Sequence, residues 1–98
     1  MMRKLVIREE AQRDLDEAID WHKKNKKDRG RKFAVEIKKV LKLLQKMPKM
    51  HGIVIDDVRR ATVKGSRYVI LYRVTDTEVI VISIFHASRD PSNWQSRI

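Results

Sequence analysis

Residues 67–90 read RYVILYRVTDTEVIVISIFHASRD, and most of the fold follows from this segment. Two runs rich in β-branched and aromatic side chains flank Thr75-Asp76-Thr77, and polar residues follow the second run. Two apolar runs around a polar turn predict an antiparallel β-hairpin. The basic, helical part of the chain before residue 50 must then pack on this hairpin or leave its apolar side chains uncovered.

The first predicted strand has two different faces because strand side chains alternate. One face carries Arg67, Val69, Leu71 and Arg73, and the other carries Tyr68, Ile70, Tyr72 and Val74. We expect the tyrosine-bearing face to be buried under helices. The two arginines need partners if their half-apolar face is covered.

An earlier strand is expected over residues 58–63 (VRRATV), followed by a turn at Lys64-Gly65-Ser66. A three-residue turn there places Arg59, Ala61 and Val63 beside the arginine-bearing face. Arg59 is therefore grouped with Arg67 and Arg73 as a candidate binding residue.

Two registers fit the last strand. If residues 75–77 form the whole loop, Ile80, Ile82 and Ile84 join the tyrosine-bearing face and His86 follows them. If only Asp76 and Thr77 turn, His86 comes opposite Arg67, because a one-residue slip exchanges the two faces. Neither turn is a strong signal, so the sequence leaves both open.

The first half of the chain predicts a short strand and two helices. Residues 4–8 (KLVIR) are a short apolar run, and Glu9 and Glu10 then open an amphipathic helix that ends near Asn25. Gly30, within the basic segment 23–32, is expected at the turn between helices. A second amphipathic helix follows and stops at Pro48. Residues 49–57 are either irregular or a short strand.

The predicted order is β-α-α-β-β-β, which indicates an α+β fold in a single domain over residues 1–98. Helices that precede a group of antiparallel strands favour an αα-hairpin packed on one face of a small sheet. Ninety-eight residues are enough for one modest core.

Charge is the strongest feature of the composition. The net charge is +10, and residues 23–49 carry twelve basic and two acidic side chains. This concentration favours a polyanionic or acidic partner, although a basic face that serves only solubility is the plain alternative.

Composition and spacing also exclude several classes of function. The sequence has no cysteine, which is compatible with the cytoplasm, and no apolar run of membrane-spanning length. Three distant histidines make no metal pattern. With only three glycines there is no phosphate-binding loop, so we expect neither a metal nor a cofactor.

The strand YVILYRV at 68–74 and the ending Phe85-His86-Ala87-Ser88-Arg89-Asp90-Pro91, followed by Trp94, resemble the RelE/ParE superfamily of bacterial toxins. The resemblance covers essentially the whole chain and is closer to the ParE side. It implies a growth-inhibiting toxin of a type II toxin–antitoxin, or plasmid stabilisation, module. The resemblance further implies that a cognate antitoxin holds it inactive through an acidic segment, and the +10 charge suits such a partner.

The resemblance implies one of two activities. ParE-like toxins poison DNA gyrase, whereas RelE-like toxins cleave messenger RNA on the ribosome. In a nuclease, His86 would supply acid–base chemistry, with Arg67 and Arg89 stabilising charge at the phosphate. The RelE pattern usually has a catalytic tyrosine near the C-terminus, and this chain has none after Tyr72. The absence of this tyrosine favours gyrase poisoning, but it does not decide whether the protein is an enzyme.

The binding interpretation assigns target or antitoxin contacts to five residues: Arg59, Arg67, Arg73, Arg89 and Trp94. His86 is equally compatible with a strand-end histidine bonded to backbone. A further alternative is an inactive, basic interaction module. The register of the last strand separates the first two hypotheses, because His86 opposite Arg67 favours the nuclease and His86 on the core face favours binding.

Overall fold

The computed structural model describes residues 2–88 and 97–98. Its elements, in chain order, are β1 (Lys4–Ile7), α1 (Glu9–Asn25), α2 (Lys27–Lys46), β2 (Ile53–Ile55), β3 (Val58–Thr62), β4 (Tyr68–Val74) and β5 (Glu78–His86). The α+β class and the predicted order are confirmed. Residues 53–55, which the sequence left open, form an additional short strand.

The first helix begins and ends where its side chains favour it. Glu9 and Glu10 occupy the first turn, where the positive end of the helix dipole stabilises carboxylates, and three basic residues occupy the last turn. Ala11, Ala18 and His22 are its buried residues. The predicted bounds of this helix are confirmed.

The break between the helices differs from the prediction. Lys26 is the single linking residue, with extended backbone at φ −160° and ψ 134°, and its N–H donates to the His22 carbonyl. Gly30 lies inside α2, not at a turn, so that prediction is wrong. Its role is close packing: a Cβ at Gly30 would lie 2.5 Å from Lys23 Cγ and 3.1 Å from the Lys23 backbone nitrogen. Glycine lets the two helices approach here.

The five strands form one mixed sheet in the order β1-β5-β4-β3-β2. The N-terminal strand β1 pairs in parallel with β5, whereas the other neighbours are antiparallel. The helix pair between β1 and the other strands makes that parallel pairing possible, because a parallel connection needs a long crossover. Strand β2 forms the opposite edge and exposes Ile53, Val54 and Ile55.

The register of β3 corrects one prediction. Val63 N–H donates to the Tyr68 carbonyl, so the loop spans four residues, 64–67, with Gly65 at φ 77°. Arg59 therefore pairs with Tyr72, and Ala61 pairs with Ile70. Arg59, Ala61 and Val63 share the tyrosine-bearing face and not the arginine-bearing one. A one-residue difference in loop length is enough to exchange the faces.

The last strand follows neither of the two predicted registers over its whole length. Near the turn, Val74 pairs with Val79 and Tyr72 with Val81, as in the two-residue turn at Asp76 and Thr77. The register then shifts by one at Ile82, which has no pairing partner on β4. Beyond this β-bulge, Ile84 pairs with Ile70 and His86 with Tyr68. His86 is therefore on the tyrosine-bearing face.

Both faces of the sheet are apolar, but they are covered differently. The helix-covered face, which is the tyrosine-bearing face, forms the larger core with Ala18, Phe33, Ile37 and Leu44 of the helices. The second face holds a smaller cluster, made by Val58, Val69, Leu71, Ile82 and Phe85, with Ala87 and Ile98 packed on it. Among the residues that the structure describes, no helix has the length and apolar content needed to cross a bilayer.

Candidate functional site

A continuous row of aromatic rings runs from α1 across α2 to the ends of β4 and β5. The centroid distances are 5.2 Å for Trp21–His22, 4.2 Å for His22–Phe33, 4.7 Å for Phe33–Tyr68 and 5.3 Å for Tyr68–His86. We call these five residues the aromatic row. Its middle is buried, and its ends, Trp21 and His86, are more accessible.

His22 fixes the middle of the aromatic row. Its Nδ1 lies 2.7 Å from the Ala18 carbonyl oxygen, which requires Nδ1 to be the protonated nitrogen when the ring is neutral. The ring stacks on Phe33 with an interplanar angle of 7°. His22 is therefore a packing histidine whose Nδ1 is satisfied by the backbone.

An open, basic groove lies over the aromatic row, between the helix pair and the loop at residues 64–67. Its volume is about 1010 Å³, and all five residues of the aromatic row contribute to its lining. The described lining includes one carboxylate, Glu36, and six cationic side chains, namely Arg29, Arg31, Lys32, Lys39, Lys64 and Arg67. We call it the basic groove. It combines flat rings with a strong excess of positive charge.

His86 and Arg67 both line the basic groove, so the structure brings these two sequence-predicted residues together. His86 is half-buried, meets the Tyr68 ring at 89°, and accepts a hydrogen bond at Nδ1 from the Ser88 N–H at 3.2 Å. Arg67 is exposed and donates to the Ser88 hydroxyl at 3.1 Å. His86 pairs with Tyr68 and not with Arg67, which is the register that favours the binding interpretation.

Arg59 and Arg73 lie away from the basic groove and have structural partners. Arg59 donates to the His51 carbonyl at 2.7 Å, which ties β3 to the segment after α2. Arg73 donates to Asp57 at 2.8 Å, and this bond lowers the pKa of the Asp57 carboxyl below its ordinary value. Arg59 thus bonds to neutral carbonyl oxygens, whereas Arg73 is paired with a carboxylate.

The second face offers little chemistry at its centre. Val69 and Leu71, which lie between Arg67 and Arg73, are 1% exposed and pack with Ile82. A reaction at phosphate needs positioned polar groups, whereas the middle of this face is apolar. Arg89 and Trp94, which the sequence also predicted as site residues, lie outside the described residues. No cluster of metal-ligating side chains occurs within 2–88 and 97–98.

Sequence reasoning missed a polar network that joins α1 to the end of the chain. Asp14 accepts hydrogen bonds from the Ile84 N–H at 3.1 Å, from the Ser83 hydroxyl, and from both terminal nitrogens of Arg97. This bidentate pairing raises the pKa of the Arg97 guanidinium. β1 pairs with β5 only as far as Val81, so Asp14 satisfies the strand edge where β1 has ended. No local sequence pattern indicates such a pair.

Tyr72 is a second polar anchor in the core. Its side chain is fully buried and its hydroxyl donates to the Pro48 carbonyl at 2.7 Å, which fixes the segment that leaves α2. Burial raises the pKa of the Tyr72 phenol, and the nearby Arg59 opposes this shift only in part. The role of Tyr72 is structural.

These features define a small, strongly basic α+β protein whose helix pair covers one face of a five-stranded sheet. Residues 5–91 match the family model described as the ParE toxin of the type II toxin–antitoxin system parDE. The chain therefore belongs to the ParE toxin family, as its resemblance to the RelE/ParE superfamily implied.

A solved structure, described as the chromosomal ParDE toxin–antitoxin system from P. aeruginosa, shares the fold. It aligns with a TM-score of 0.76 at 21% identity, covering 87% of this chain and 96% of that one. A search of curated proteins found no match. The structural similarity supports the fold, and the family match supports the class of toxin.

Proposed function

We propose that this protein is the toxin of a type II toxin–antitoxin pair, that it inhibits growth by poisoning DNA gyrase, and that a cognate antitoxin neutralises it. The observation that carries the proposal is the family match over residues 5–91. The mechanism is binding and not hydrolysis: the toxin stabilises a non-productive state of its target.

The described residues support a binding mechanism over RNA cleavage. His86 is held by the Tyr68 ring and by the Ser88 N–H, and the second face is apolar between Arg67 and Arg73. An endoribonuclease needs a proton donor, a proton acceptor and cations around one phosphate. His86 lines the basic groove together with cationic side chains such as Arg67, but its Nδ1 and its ring already make contacts within the fold.

The antitoxin in this proposal presents an acidic segment. The toxin carries a net charge of +10, which equals the net charge of residues 23–49 alone; this segment includes α2 and the preceding break between the helices. Opposite charges on the two proteins would accelerate their association, and the rate would fall as salt rises.

Two experiments test the target. Purified toxin is added to gyrase in a supercoiling assay, and the DNA is analysed for trapped cleavage complexes. We expect inhibition of supercoiling together with linear, gyrase-linked DNA. No effect at concentrations that stop growth would remove gyrase as the target. Primer extension on messages after induction then tests the ribosome, and site-specific cleavage would establish the RelE-like activity instead.

His86 provides the sharpest control for mechanism. A binding poison tolerates His86→Gln, because glutamine keeps a polar side chain at the strand end and no proton transfer is needed. We expect induction of this variant to stop growth as the parent does, provided that both accumulate equally. Complete loss of toxicity in a folded His86→Gln variant would favour the nuclease.

The antitoxin is tested by its genetic position and by rescue. Co-expression of an acidic reading frame adjacent to the toxin gene should restore growth, and the two proteins should elute together in size exclusion. If induction of the toxin alone never slows growth, the protein is an inactive interaction module and the toxin proposal fails.

A further inference from the structure

The basic groove and its aromatic row have no part in the packing of the sheet edges or in the second face. The groove is assembled from the facing sides of α1 and α2, the 64–67 loop and the ends of β4 and β5. At about 1010 Å³ it is at the upper end of the range for small-ligand pockets, and it is open to solvent and not an enclosed cavity. This shape suits a segment of an extended chain.

The charge of the groove lining indicates which kind of extended chain would bind there. Six cationic side chains and one carboxylate occur among the described lining residues. Arg29, Arg31, Lys32 and Lys39 come from α2, whereas Lys64 and Arg67 lie across the groove on the loop. Cations on both walls can neutralise a backbone that carries a negative charge at every repeat, and this electrostatic contact releases counterions.

The aromatic row favours a nucleic acid over an acidic peptide as the ligand of the groove. Carboxylates need only the cations, whereas the bases of a single strand gain from stacking on aromatic side chains, largely regardless of sequence. Trp21 is 44% exposed and not stacked on His22, their rings meeting at 77°. Trp21 thus offers an accessible ring at one end of the row, and His86 is half-buried at the other.

We propose that the basic groove binds a short segment of single-stranded nucleic acid, with phosphates on the arginines and lysines of its two walls and a base against Trp21. This site is separate from the proposed action on gyrase and does not depend on it. Single-stranded DNA and single-stranded RNA both present phosphates and base faces, so we expect the groove to bind either one.

The direct test measures binding of purified toxin to a fluorescein-labelled twelve-nucleotide oligo(dT) and to the matching oligo(rU) by anisotropy. A duplex of the same length and a polyglutamate peptide serve as competitors. We expect both single strands to bind and both competitors to be weaker. Three neutralised phosphates would give a slope of about −2 for log K against log salt. Preference for the peptide or the duplex would overturn the proposal.

Matched charge reversals on α2 locate the site. Arg31→Glu and Lys39→Glu change the groove, whereas Lys42→Glu and Lys46→Glu make similar charge changes at exposed positions of the same helix outside its lining. We expect the groove variants to weaken oligo(dT) binding at least about tenfold and the controls by less than about threefold. Equal losses of affinity in the groove variants and in the controls would mean that binding depends only on the total positive charge. That result would contradict a site in the basic groove.

Trp21 tests the stacking component. Trp21→Ala should weaken binding about tenfold, and Trp21→Phe should recover most of the loss because phenylalanine keeps an aromatic face. Thermal unfolding of each variant verifies that it is folded. If Trp21→Ala binds oligo(dT) as the parent does, no base stacks at this position and the proposal is wrong. Gyrase inhibition, measured on the same variants, reports separately on the proposed function.

Discussion

Asp14 and Arg97, which are 83 positions apart, form a bidentate ion pair at the edge of β5. Their side chains are 17% and 22% exposed, so the pair is partly shielded from water. Asp14 also accepts the Ile84 N–H and thereby completes the hydrogen bonding of a strand edge that β1 does not reach. One carboxylate joins the first helix, the last strand and the end of the described chain.

Removal of this carboxylate should destabilise the fold markedly. Asp14→Ala leaves the Arg97 charge and the Ile84 N–H without their partner, and we expect a loss of about 2–3 kcal/mol in the free energy of unfolding. Urea denaturation measures it. Asp16→Ala is the control, because Asp16 is exposed and its hydrogen bond within the described part of the chain comes from Gln12 in the same helix. Its effect should stay within about 0.5 kcal/mol. Similar losses in both variants would contradict the role of Asp14.

Gly30 should resist a substitution that normally stabilises a helix. Alanine in place of glycine gains up to about 1 kcal/mol of helix propensity. At Gly30 the new Cβ would meet Lys23 Cγ at 2.5 Å and its backbone nitrogen at 3.1 Å, so overpacking should outweigh the gain by about 1 kcal/mol. Thermal unfolding of Gly30→Ala is compared with Gly52→Ala, where no atom lies within 4 Å. A rise in melting temperature for Gly30→Ala would show that the helices do not touch here.

Tyr72 should make the protein sensitive to alkali. Burial raises the folded-state pKa of this phenol above its ordinary value of 10.0. Below pH 10 the phenol is neutral in both states; above it, the unfolded chain ionises first, so stability falls as pH rises toward the folded pKa. Urea unfolding between about pH 9 and 11 should show this fall in the parent and a shallower one in Tyr72→Phe. Identical slopes would exclude a Tyr72 contribution.

Arg73 should control the titration of Asp57. Its hydrogen bond holds the pKa of the exposed Asp57 carboxyl below 3.8, so any stability from this pair is complete above that pH and is lost as pH falls through the folded pKa. NMR titration of the Asp57 carboxyl should give a higher pKa in Arg73→Gln than in the parent. Arg60→Gln, at a neighbouring exposed arginine, should leave it unchanged. An unaltered titration in Arg73→Gln would show that the pair does not form in solution.

Local patterns predicted the elements of this fold well. The acidic residues at the start of α1, the apolar stripe of each helix and the stop at Pro48 are all local signals, and the structure confirms the helices that they predicted. Alternation along β4 correctly assigned Tyr68, Ile70 and Tyr72 to the face that the helices cover, although Val69 and Leu71 on the other face are buried as well.

The features that were predicted wrongly from the sequence depend on tertiary contacts between helices and strands. Lys26 has no intrinsic tendency to end a helix, and the chain breaks there because two amphipathic faces must pack together. Gly30 resembled a turn residue, although its conformation is helical and its small size serves contact with Lys23. The four-residue loop before β4 and the bulge at Ile82 each shift a register by one, and neither has a distinctive local signature.

The candidate site was only partly predictable for the same reason. His86 and Arg67 were singled out as polar residues beside apolar strands, and both line the basic groove. Trp21 and Phe33 lie on different helices, and no local pattern links them. Only the antiparallel packing of α1 and α2 brings their rings into one row with Tyr68, so a linear pattern could not reveal the groove.

The unpaired residue Ile82 has a consequence for comparing relatives that differ in length. Deletion of this single residue would join the Tyr72–Val81 and Leu71–Ser83 pairs into an uninterrupted ladder and leave His86 opposite Tyr68. A homologue with a one-residue gap at this point can therefore present the same side chain to the groove. A relative that lacks the bulge should still be able to share the ligand of His86.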